Sequence, residues 1–257
     1  MIGHRTRARR RVGLQKATSA TIVVAADGVA QIAASARVAA GANVTGRGRV
    51  GGQAVAVGAV TVTDDARLLD HAILAGTATV RGRATVSGWA TVIEQVTLDG
   101  DAWVFGRAVI MGRASVGGHA QVFGGAQVTG GAVIGGHAWI HGSAHVTGEA
   151  WVHGRSQIGG RALICGTAVV AGPLRIGGDV VIGDGADISC AADYETHRLS
   201  WGETITLYRC EDGAVGLGRS ETDHGPLTER RALLLGPTVG NMIDELGAFW
   251  SMAAVRS

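Results

Sequence analysis

Proline, phenylalanine and tyrosine are scarce in this chain of 257 residues, at 3, 3 and 2 copies. With 42 glycines and heavy use of Val and Ala, the composition points away from an ordinary helical core. No run of eighteen apolar residues occurs, so no membrane-spanning helix is expected. No apolar segment follows the first arginines, so no secretory signal is expected either. Cys165, Cys190 and Cys210 form an odd set without zinc-ligand spacing. They fit a reducing, cytoplasmic setting best, with a Cys190–Cys210 pair left open for an oxidising one. Charged residues make up only 17% of the chain, yet mean hydropathy is +0.23, so extended disorder is not expected.

The net charge of +2 is ordinary, but its distribution is not. Arg5, Arg7, Arg9, Arg10 and Arg11 crowd the N-terminus. Such an arm suits an acidic partner, a membrane surface or nucleic acid, but its foremost reading is a solvated terminus. Nucleic acid is accordingly not an expected partner.

What the chain has in abundance is a repeat. From Ile32 to Ile188 every sixth position holds Ile, Val, Leu or Ala, without a slip. From Gly106 to Gly178 the third residue of each hexad is Gly, and the fifth is usually Ala, as at Ala108, Ala114 and Ala120. The unit is V-x-G-x-A-x. Alternate residues of a strand point to opposite sides, so the aliphatic residue and Ala face inward and the intervening residues face water. The glycine allows a tight bend. Three hexads close one triangular coil, so positions i and i+18 lie on successive rungs. About nine such coils, stacked at strand spacing, give a prism on the order of 43 Å long.

"VTGGAVIGGHAWIHGSAHVTGEAWVHG" resembles the hexapeptide-repeat, left-handed parallel β-helix superfamily, whose best-known members are trimeric acyltransferases and γ-class carbonic anhydrases. The resemblance covers about residues 20 to 190. It is strongest to a V-x-G-x-A-x branch, bacterial and phage-like, often labelled transferase without a demonstrated activity. It implies the left hand, since ordinary parallel crossovers are right-handed. It also implies a homotrimer. The fold class expected is therefore an all-β solenoid, a single-stranded left-handed parallel β-helix with 18-residue coils and a small C-terminal α+β cap.

Three segments follow: a basic arm over 1–19, the repeat over 20–190 and a cap module over 191–257. Residues 12–31 are expected to form an irregular first coil. "ETITLYRCEDGAVGLG" predicts a hairpin turning at Glu211-Asp212-Gly213. "PLTERRALLL" and "MIDELGAFWSMAAV" predict two short helices, the second amphipathic. Solenoid ends need covering, so this module is expected to close the end.

The coil period turns the sequence into a surface map. One face carries Asp101, Trp103 and Phe105 on one rung, His119, Gln121 and Phe123 on the next, and His137, Trp139 and His141 on the third. Arg155 and Gln157 lie above. His119 and His137 should stack at a corner, with Asp101 below. His145 and His153 fall on the other two faces. An exposed aromatic patch points to a contact surface, and Trp, Phe and Arg favour interfaces. The leading function expected is thus a rigid, self-associating scaffold or binding module, with Trp103, Phe105, Phe123, Trp139, His141 and Arg155 as its binding face.

The alternative is an O- or N-acyltransferase, with His119 or His137 as general base, Asp101 orienting it and Arg155 meeting a phosphate of acyl-CoA. The resemblance places such a site between subunits. The unbroken register extrudes no covering loop, which counts against a closed site. No cofactor is expected unless acyl-CoA serves this second reading. A zinc site of the anhydrase type is not expected, because His137, His141 and His145 step by four instead of five. An ice-binding ladder is set aside because only Thr129 and Thr147 are read as stacking.

Overall fold

The computed structural model describes residues 22–25, 28–199, 202, 204–220 and 223–226. It is the all-β parallel solenoid that the period of six predicts. Three sheets run the length of the repeat, and strands three hexads apart pair in parallel, in register. Face A includes Thr85–Val86, Trp103–Val104, Gln121–Val122, Trp139–Ile140, Gln157–Ile158 and Arg175–Ile176. Face B runs from Arg37–Val38 to Val181–Ile182, and face C from Asn43–Val44 to Asp187–Ile188.

Burial follows the hexad. Ala102 and Val104, Ala120 and Val122, and Ala138 and Ile140 are closed off from solvent, as are their equivalents along the prism. Small and aliphatic residues alternate inward because three strands converge on a narrow axis that leaves no room for larger ones. Burial of each Val, Ile or Leu side chain contributes about 2 kcal/mol. Each coil is tied to the next by backbone bonds such as Trp103 N–H to Ala120 C=O at 2.9 Å and His119 N–H to Gly136 C=O at 2.7 Å.

The bends need a left-handed residue. Gly136, with φ +63°, is one of a long series at this corner position. Asp64, Asp70 and Glu94 adopt the same conformation at φ 59°, 61° and 69°. Two of them gain a compensating bond: Asp64 Oδ2 accepts from Gly82 N–H and Asp70 Oδ2 from Gly88 N–H, each at 2.9 Å. Asp is among the residues that tolerate this region by such local bonds.

Two expectations are corrected at the ends. In place of an irregular first coil, Ile22–Ala25 pairs antiparallel with Gly28–Ile32, and the latter strand opens face A. The C-terminal hairpin forms as read, Thr204–Arg209 with Val215–Ser220, but Tyr194–Arg198 and Asp223–Pro226 widen it to four antiparallel strands. This sheet does more than close an end. Val181 and Cys165 occupy outward positions of face B, yet both are buried. Val181 N–H donates to Thr206 Oγ1 at 3.1 Å, and Glu211 N–H to Gly185 C=O at 2.8 Å. Tyr208 and Cys210 join the core shared with Ile182 and Ile188. The module therefore packs on the flank of face B as well as on the last coil. Arg209 and buried Asp193 fasten the junction at 3.3 Å, and Asp193 also accepts from Ser189 N–H and Cys190 N–H at 2.7 and 2.8 Å. The basic arm over 1–19 and the helix expected over 242–255 lie outside the described residues, as does the helix expected over 226–235 apart from Pro226, which ends the last strand of the sheet. None of the three cysteines forms a disulfide, so Cys190 and Cys210 are not joined.

Candidate binding face

Face A presents three outward columns, each rising one rung per coil. In the corner column Arg47 pairs with Asp65 at 2.7 Å. Arg83 grips Asp101 through two bonds of 2.6 Å. His119 Nδ1 lies 3.5 Å from Asp101 Oδ2, and the His119 ring stacks on His137 at 4.7 Å, nearly parallel at 9°. The hydrogen bond from Arg83 holds the Asp101 carboxyl below the usual carboxylate range. Both of its oxygens already serve Arg83, so its hold on the His119 imidazole is the weaker, longer one. Arg155, next in the column, has no hydrogen bond or ion pair from its side chain among the described residues.

The third column is a ring stack. Phe105 and Phe123 lie parallel at 4.9 Å, and Phe123 and His141 at 5.3 Å. The His141 ring fills the space that a side-chain carbon on Gly159 would need. Trp103 leans on Phe105 at 4.4 Å and donates from Nε1 to Ser87 Oγ at 3.2 Å. Trp139 meets Phe123 edge-on at 6.4 Å. In a sheet side chains stand off the surface, so identical spacing on successive rungs stacks planar groups. His119, Gln121, His137, Trp139, Arg155 and Gln157 line an open groove beside this stack. Among the described residues no carboxylate lines it.

The nine residues singled out from sequence are thus brought onto one face, although no hydrogen bond or ion pair among the described residues joins the Arg155 side chain to the others. His145 on face B accepts or donates to Thr129 Oγ1 at 3.1 Å, and His153 on face C leans on Trp151 at 4.5 Å. The four histidines of 137–154 are dealt to three faces. Thr45 and Thr63 also bond at 3.1 Å, so the stack of Thr129 and Thr147 is not the only one.

Sequence reasoning missed face B. Its outward positions include Val55, Val57, Ile73, Ala75, Ile93, Val109 and Met111, with no charge among them. Val57 and Ile73 are each 39% exposed, and Trp89 at the adjoining corner is 63% exposed, stacked on His71 at 4.1 Å. The available signal was hydrophobicity at outward positions of the hexad, which resembles core composition unless each residue is assigned a direction.

Among the described residues no helix is long and apolar enough to cross a membrane. Compared with protein-family models and with curated proteins, the chain gives no match in either.

Proposed function

We propose that this protein is a rigid solenoid binding module whose working surface is face A between Asp101 and Gln157. The observation that carries this reading is the pairing of a closed ring stack with an open, carboxylate-free groove lined by His119, Gln121, His137, Trp139, Arg155 and Gln157. The stack fixes the floor and the groove offers hydrogen-bond donors. The fold holds both on paired strands that do not depend on loops for their position.

Self-association belongs, in this reading, to the aliphatic strip of face B. The outward strand positions of that strip from Val55 to Met111 hold no charge, with Arg107 at the corner beside them, whereas face A would have to bury Arg155 and several histidines. Its other end already serves as a packing surface for the chain's own C-terminal sheet. Light scattering on the full-length chain tests the division of labour. Ile73→Asp is expected to lower the solution mass of an oligomer, and Trp139→Arg to leave it unchanged. A mass that falls with Trp139→Arg would make face A the subunit contact and remove it as an open binding surface.

Acyl transfer with His119 or His137 as base has one supporting observation, the neighbouring Asp101. Its test is a melting curve: acyl-CoA binding raises the melting temperature by mass action. No shift at millimolar acyl-CoA is the expected result. A shift abolished by His137→Ala would move the reading to a transferase.

A further inference from the structure

The middle column of face A has a regularity of its own. It runs Trp103, Gln121, Trp139, Gln157 and Arg175, one residue per rung, each paired in register with the next. Rungs of a sheet are about 4.8 Å apart. That step is close to the advance per ring of an extended pyranose chain. A sugar chain laid along the prism would therefore meet an indole and an amide in alternation. Indoles suit the apolar faces of sugar rings, and the amides of Gln121 and Gln157 offer both donors and acceptors to hydroxyls.

Charge is distributed to match. From His119 upward the outward positions of face A hold no Asp or Glu. Asp101, the last carboxylate below, is bound on both oxygens by Arg83. Arg155 and Arg175 are exposed and have no side-chain partner among the described residues. Two unpaired guanidinium groups at the end of a hydroxyl-binding track are matched to carboxylates.

We propose that face A, from Trp103 to Arg175, binds a linear acidic polysaccharide along the prism axis, with uronate carboxylates at Arg155 and Arg175. This rests on reading face A as a ligand surface. The open groove favours a polymer, because small ligands need concave sites that bury most of their surface. A single-stranded nucleic acid fits less well. Its bases stack on successive free aromatic faces, and here only the indoles of Trp103 and Trp139, two rungs apart, offer them, since Phe105, Phe123 and His141 stack on one another.

Calorimetry on the full-length chain tests the assignment, with β-1,4-linked mannuronate oligomers from dimer to octamer as probe. Cello-oligomers of equal length give the neutral comparison, and oligothymidylate the nucleic-acid one. Mannuronate affinity is expected to climb with length and level off at about five sugars, one per rung. Trp139→Ala should lose about tenfold or more in affinity for both sugars. Arg155→Gln with Arg175→Gln should erase the preference for mannuronate over the neutral chain. Trp151→Ala, on face C, should change nothing, and circular dichroism verifies that each variant keeps its β-signal.

The proposal is overturned by no heat at millimolar mannuronate octamer, by equal binding of the neutral chain, or by tighter binding of oligothymidylate. Absent mannuronate binding, with solution mass unchanged in Trp139→Arg, rejects the polysaccharide and leaves face A an open surface. Mannuronate binding that survives Trp139→Ala at full strength rejects the polysaccharide site and face A together.

Discussion

Gly135 and Gly136 are chemically identical neighbours that should respond in opposite directions to the same substitution. Gly136 has φ +63°, and a Cβ built on it would lie 2.8 Å from Gly154 O and 2.9 Å from Gly154 N. Those are backbone atoms of the next coil, themselves held by the ladder, so they have little room to retreat. Holding Ala in the left-handed region costs about 1–2 kcal/mol before any collision is counted. A Cβ on Gly135 would meet nothing within 4 Å. Replacing Gly by Ala there reduces the freedom of the unfolded chain and gains about 0.4–1 kcal/mol. The two variants should therefore differ by at least about 1.4 kcal/mol in urea unfolding, with Gly135→Ala the more stable. Because a solenoid couples only neighbouring repeats, faster amide exchange in Gly136→Ala should be confined to the adjoining coils. Glu94→Gly is the converse experiment. It relieves φ 69° at the same corner position and should stabilise by about 1 kcal/mol. Coincident unfolding midpoints for Gly135→Ala and Gly136→Ala would refute the account of how the corners are built.

Other outcomes follow from the junction and the thiols. A thiol reagent should label Cys190 promptly in the native protein and reach Cys165 and Cys210 only on unfolding, because both are buried and burial pushes the Cys210 thiol up to about 11. Rapid labelling of Cys210 would mean that the C-terminal sheet opens. Asp193→Ala removes the acceptor for Ser189 N–H and Cys190 N–H and the partner of Arg209, and should cost about 3 kcal/mol, measured as earlier melting of that sheet. Arg83→Gln removes the hydrogen bond that depresses the Asp101 carboxyl, so a carbon NMR titration should show Asp101 moving up toward the ordinary carboxylate range. Since Asp101 is depressed in the fold, its contribution is present above the unfolded value and fades as pH falls through the folded one, in the acid range below about 4.

The fold was legible because one residue type at a fixed interval has one structural meaning over many turns. Val104, Val122 and Ile140 point inward for the same reason, and the coil interval then places Trp103, Gln121 and Trp139 in one column. The stacking of His119 on His137 and its proximity to Asp101 follow from the same count. Side-chain direction does not. Nothing in the spacing states that Phe105, Phe123 and His141 close into a stack while Trp139 turns edge-on, or that Arg83 takes both oxygens of Asp101. Face B was overlooked because Val55, Ile73 and Val109 are the same kinds of residue as the core beside them. The flank docking of the C-terminal sheet was hidden for a different reason. It depends on a single contact region at Val181 and Cys165, outside the periodic pattern and set by tertiary packing.

The unbroken register has a consequence for how such a chain can change length. Removing residues 107–124 would shorten the prism by one rung and set Gly125 where Arg107 stood, leaving every later side chain on its original face. Removing a single hexad would also preserve the core, since Val, Gly and Ala recur every six positions. Yet it would turn everything beyond the cut by one side of the triangle. His137, Trp139 and His141 would leave the side that carries Trp103 and Phe105, and Arg155 would go with them. Gains and losses of a whole coil are thus silent for the surface, those of one hexad permute it, and lengths that are not whole hexads break the interior.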